Sequence, residues 1–148
     1  MATQTNIPAS HDRDFYAWAL ESANRLRAGN LAGLDLQRIA EEIEDMGRAE
    51  KHALASHLKI LILHLLKWRY QPTLRSLSWQ LSITNARDEI AELLEDSPSL
   101  TGKLPEILAR RYPAARQGAI LETGLPAATF PTECPLTIEQ LLDPEYWT

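Results

Sequence analysis

Residues 35–71 read DLQRIAEEIEDMGRAEKHALASHLKILILHLLKWRYQ, and this stretch decides the fold. Between its candidate cap, Asp35, and its stop at Pro72 there is no proline and a single glycine, Gly47. Apolar residues recur at Leu36, Ile39, Ala40, Ile43, Met46, Leu54, Leu58, Leu61, Leu65 and Trp68. Spacings of three and four put them on one face of a helix. With a rise of about 1.5 Å per residue, that helix is about 50 Å long. A helix of this length has to bury its stripe against others. The predicted class is therefore all-α: an up-and-down bundle of four main helical regions, an extended C-terminal segment and a short final helix.

The flanks fit that reading. Acidic residues cluster in the first turns (Glu41, Glu42, Glu44, Asp45) and basic ones in the last (Lys67, Arg69), the order the helix dipole favours. Gly47 costs about 1 kcal/mol against alanine in a helix interior, so it should admit a close neighbour or mark a bend. Upstream, Asp12 is a candidate N-cap for a first helix that carries Phe15, Trp18, Ala19, Ser22, Ala23 and Leu26 on one face and stops at Gly29-Asn30. Downstream, Tyr70-Gln71-Pro72 predicts a tight hairpin with Pro72 in the first turn of the next helix, which runs to about Asp96. Ser97-Pro98 opens a fourth helical region ending at Thr123-Gly124, which Pro113 should kink or split. From Leu125 the chain should run extended, pinned by Phe130. Thr137 and Gln140 then match a capping box over Ile138–Leu142. The expected organisation is one domain over 1–148, with 1–11 as a loose tail and 125–148 as a wrapping segment.

The totals narrow the function classes. The chain has 148 residues, 45% of them hydrophobic and 24% charged, which is ordinary for a globular protein with a real core. A formal net charge of −5 argues against a dedicated nucleic-acid binder. The one cysteine, Cys134, permits neither an internal disulfide nor a cysteine-rich zinc site. No apolar h-region opens the chain, and the most apolar run, Leu58–Leu66, is far below the ~20 residues that span a bilayer. A cytoplasmic protein without a membrane partner is expected.

Polar groups border the core of the long helix. Its central seven-residue row, Ala40, Gly47, Leu54, Leu61 and Trp68, is small or apolar; the next row is Ile43, Glu50, His57 and His64. Seven residues rise about 10 Å, so neither Glu50 with His57 nor His57 with His64 can share a metal ion. No metal and no cofactor is expected. A hairpin folding back around Gln71 would set His64 against Ser78 and His57 against Asn85, a polar ladder that could fix register. The alternative is that each histidine is solvated at the rim. Glu50, His57, His64, Arg75, Ser78 and Asn85 are thus the candidate seam residues, and Trp18, Trp68 and Trp79 the candidate core or interface anchors. Arg75, Arg87, Arg110, Arg111 and Arg116 could share a basic face, diluted by Asp88, Glu89 and Glu106. No phosphate-binding glycine loop and no Gly-x-Ser-x-Gly elbow occurs.

Several strings occur together: DFYAWA at 14–19, AEEIEDMGR at 40–48, HLLKWRYQP at 64–72, RSLSW at 75–79, DSPSL at 96–100, ETGL at 122–125, FPTECP at 130–135 and QLLD at 140–143. In this order they resemble the bacterial family catalogued as domain of unknown function 29, over nearly the whole chain. The resemblance implies an all-helical bacterial protein and carries no catalytic residue over. The leading functional reading is an interaction or regulatory module that binds another protein or itself, since tryptophans at helical spacing are the residues that anchor interfaces. A ligand binder or enzyme using Glu50, His57, His64 and Arg75 in a bundle-core pocket is the alternative. An acidic partner that neutralises a basic effector is a third.

Overall fold

A computed structural model describes residues 9–147. Most of the expected loose tail, 1–8, lies outside the described residues, as does Thr148. Five α-helices follow in order among the described residues: α1 Phe15–Arg27, α2 Leu36–Tyr70, α3 Leu77–Asp96, α4 Leu104–Thr123 and α5 Ile138–Leu142. Among the described residues there is no strand, so the chain is all-α. Its internal contacts divide it between Met46 and Gly47 into two compact parts. The long helix contributes to both.

In the part up to Met46, residues 10–14 form a turn closed by the Asp14 amide on the Ser10 carbonyl at 2.8 Å. The cap of α1 is Asp14, whose carboxylate accepts from the Ala17 amide at 3.0 Å; the expected cap, Asp12, is engaged elsewhere. The helix ends at Ala28, and Gly29 turns the chain with φ +71°. Arg25 donates to the Ala32 carbonyl at 2.9 Å and so fixes the link into α2. Asp35 caps α2, accepting from the Arg38 amide at 3.0 Å.

In the part from Gly47, the core is a set of aliphatic residues from three helices: Leu54, Leu58, Leu61, Ile62, Leu65 and Leu66 of α2, Ile83 and Ile90 of α3, Leu104 and Ile107 of α4. Gly118 lets α4 approach α2: a Cβ there would lie 2.5 Å from Leu63 Cδ1. Gly47 has no such role, since nothing among the described residues lies within 4 Å of a Cβ built on it and α2 runs through it unbroken. The hairpin is wider than expected. Pro72–Leu74 forms a separate 3-10 turn, and α3 starts only at Leu77, capped by Ser76. A second 3-10 turn, Pro98–Lys103, precedes α4. Pro113 does not split α4: Ile107 and Tyr112 before it, and Ala115 and Ala119 after it, are all buried, so packing holds both halves in one helix despite the missing N–H.

The C-terminal segment packs against this core and is not extended throughout, since Ala127–Thr129 forms a 3-10 turn. Phe130, Leu136 and Leu141 are buried, and Phe130 meets Tyr70 edge-on with ring centroids 5.3 Å apart. The capping box of Thr137 and Gln140 starts α5. Trp147 packs on Trp68 at 5.1 Å.

Candidate functional site

The seam residues do not assemble as the hairpin reading expects. His57 Nε2 lies 4.0 Å from Glu89, four residues beyond Asn85, and the Lys67 ammonium sits 4.5 Å from the centre of the Trp79 ring. The 3-10 turn moves the fold-back point from Gln71 to Thr73, which slips the pairing by one helical turn. His64 instead bonds the Ile60 carbonyl one turn back in its own helix, at 2.8 Å. Ser78, Asn85 and Glu50 are exposed. Arg75 donates to the Trp68 carbonyl at 2.8 Å and lies over the Trp68 ring. The three anchor tryptophans are half-buried and engaged within the chain: Trp18 by His11 and Phe15, Trp68 by Trp147 and Arg75, Trp79 by Lys67.

Two arginines have roles that composition could not reveal. Arg87, buried on α3, donates to the carbonyls of Leu141 (2.9 Å), Gln140 (3.2 Å) and Tyr146 (2.6 Å), and its guanidinium faces the Trp147 ring. Among the described residues its Nη1 is buried without a hydrogen-bond partner. Burial pulls the Arg87 pKa down, and Asp143 opposes that shift. Arg116 on α4 donates to the carbonyls of Ala127, Phe130 and Pro131, and the Tyr112 hydroxyl donates to Pro131 as well. Cations on backbone carbonyls make strong, directional bonds. These side chains hold the wrapping segment and are not a basic face for a ligand. Cys134 is half-buried, and burial raises its thiol pKa, the opposite of an activated nucleophile.

A polar cluster lies before Met46. His11 Nδ1 is 3.0 Å from Asp12 and its Nε2 is 2.5 Å from Glu42, while the ring stands edge-on to Phe15 and Trp18. The bond to Asp12, and after it the bond to Glu42, raises the imidazole pKa above its ordinary value. Asp12 is lowered by His11 first and then by Arg38, 4.0 Å away. A cleft of about 230 Å³ opens beside this group, lined among others by Trp18, Ser22, Arg25 and Arg38. Ser22 is buried, yet no triad can form: both imidazole nitrogens are held by carboxylates, so neither can take a proton from the serine. Among the described residues no three His, Cys, Asp or Glu side chains could hold a metal ion. No described helix is long and apolar enough to cross a membrane.

A family model described as "Domain of unknown function DUF29" matches residues 10–147. The chain belongs to that family. No curated protein and no solved structure matches it. In this DUF29 chain the strings quoted above fall largely on packing and capping positions. HLLKWRYQP closes α2, FPTECP supplies carbonyls to Arg116 and Tyr112, and QLLD supplies them to Arg87.

Proposed function

We propose that this chain is a protein–protein interaction module of the bacterial cytoplasm, and that the first turns of α2 are its contact surface. One observation carries the reading. Leu54 and Leu61 are fully buried, while Leu36 and Ile43, two residues of the same long apolar stripe, are 53% and 59% exposed, with Met46 at 63% beside them. Three large apolar side chains in water along the first three turns of one helix are the mark of a contact surface. At about 100° per residue, Asp35, Glu42, Glu44 and Glu50 border the stripe, while Glu41, Asp45, Arg38 and Arg48 point further round the helix. The partner surface that fits is apolar and basic. The alternative, a ligand site along the seam, finds less support: Glu50, His57, His64 and Arg75 do not line the cleft, and the helix faces between them are filled by leucine and isoleucine.

The test is photo-crosslinking in the source cells, with a photoreactive residue at Ile43 and, as control, at exposed Thr101. A discrete adduct at position 43 that is absent at 101 and lost on Leu36→Glu is expected. Equal adducts at the two positions, or none at 43, would overturn the reading.

A further inference from the structure

Charge is distributed along this chain in a way the net value hides. Lys51 to Arg87 contains six Lys and Arg and no Asp or Glu; all 20 acidic residues lie outside it. That stretch is the second half of α2, the 3-10 turn and the first half of α3. Its turn end exposes a second set of large apolar side chains: Leu74 is 57%, Leu77 69% and Leu81 51% exposed. Leu77 and Leu81 are one turn apart and adjacent on the helix surface. Arg69 and Arg75 flank them, both exposed. Arg75 meets the Trp68 carbonyl and ring and Arg69 the Tyr70 ring; among the described residues neither forms an ion pair with a carboxylate. Lys51 and Lys67 pair with Glu106 and Glu122 and Arg87 is buried, so it is Arg69 and Arg75 that give this apolar surface its basic border.

We propose that the basic apolar hairpin end of one copy docks on the acidic apolar stripe of α2, around Leu36, Ile43 and Met46, in a second copy. The inference rests on the interaction reading above and names its partner. Each surface supplies what the other lacks: exposed aliphatic side chains that gain by leaving water, and a border of opposite charge that selects orientation and rejects like against like. An anionic bilayer or a nucleic acid would take the basic surface and leave the acidic stripe in water. A second copy covers both. Because the two surfaces differ, the contact closes as a two-fold dimer when it forms reciprocally between two chains, and extends to larger assemblies when it does not.

The experiment is light scattering on a size-exclusion column with the untagged full chain, over a range of concentrations and at low and high salt. A mass that is a multiple of 16.7 kDa at low salt, and that falls toward 16.7 kDa at high salt, is expected. Leu77→Glu places an acid in the basic surface, and Ile43→Lys a base in the acidic one. Both positions are exposed, so both variants should keep the wild-type circular dichroism and run as monomers. Mixed together they should associate, because one retains an intact acidic stripe and the other an intact basic hairpin. Wild-type protein that is monomeric at every concentration overturns the inference, as does an assembly that survives Leu77→Glu, or variants that do not complement. A monomer that still yields a position-43 adduct to a different polypeptide overturns the second-copy partner and leaves the interaction reading standing. A monomer that yields no adduct removes both.

Discussion

Arg87 donates from Nε to the carbonyl oxygen of Leu141 at 2.9 Å, tying the middle of α3 to the last helical turn of the chain. Two further carbonyls, of Gln140 and Tyr146, share the same guanidinium. The segment after α4 has almost no regular structure of its own, so these bonds and a few buried side chains decide whether it stays down.

Arg87→Met keeps much of the buried volume and removes the donors, leaving three carbonyls to find water. The expected loss is about 3 kcal/mol in urea unfolding, since bonds to charged groups are worth more than neutral ones and orphaned acceptors add their own cost. Limited proteolysis should begin to cut between Leu136 and Trp147, the stretch whose carbonyls Arg87 holds. A loss below about 1 kcal/mol with no new cleavage would mean that the aromatic and leucine contacts suffice alone.

The two helical glycines should respond with opposite sign. Gly47→Ala meets open space in a continuous helix and should stabilise by about 0.5–1 kcal/mol. Gly118→Ala meets Leu63 Cδ1 at 2.5 Å, so Leu63 has to move within a filled core. A net loss of about 1–2 kcal/mol is expected, the strain exceeding the gain in helix propensity. Thermal melts of the two variants decide it; equal shifts would show that Leu63 yields freely.

Tyr112 couples the core to alkaline pH. Its hydroxyl is bonded to the Pro131 carbonyl, and desolvation pushes its pKa from the ordinary 10.0 up to about 12. The neutral phenol is the form the fold prefers. Its contribution is therefore whole below pH 10 and is lost as pH rises toward 12. Tyr112→Phe should cost about 1 kcal/mol at neutral pH and flatten the alkaline part of the stability profile. An unchanged profile would place the alkaline sensitivity elsewhere.

What could be read in advance was local. Asp35 and Pro72 bracket α2, and the Thr137–Gln140 capping box marks α5, because caps and stops act within a few residues of themselves. The seam pairs His64–Ser78 and His57–Asn85 failed because they assumed that Pro72 begins α3. Pro72–Leu74 instead makes its own 3-10 turn, and a shift of two residues at a fold-back becomes four across it, one full helical turn. Arg87 and Arg116 could not be read at all. Their acceptors are backbone carbonyls, 53 to 59 residues away for Arg87, and a carbonyl leaves no trace in side-chain spacing. The acid-free run from Lys51 to Arg87 was visible in the letters, but it gains meaning only with the exposed Leu74, Leu77 and Leu81 beside it.

His11 yields the last prediction, from valence alone. Asp12 and Glu42 each face one of its ring nitrogens, and a neutral imidazole carries a single N–H. Both contacts are satisfied together only when the ring is protonated, in agreement with its raised pKa. For a histidine raised on folding, the contribution is fully present below the ordinary value of 6.5 and is lost as pH rises through the higher folded value. Glu42→Gln removes one carboxylate and should lower the His11 pKa, read by imidazole NMR. The fluorescence of Trp18, which the ring meets edge-on at 4.8 Å, should report the same transition and move with it in the variant. A His11 that titrates identically in wild type and in the Glu42→Gln variant would show that the contact to Glu42 does not hold the ring in solution.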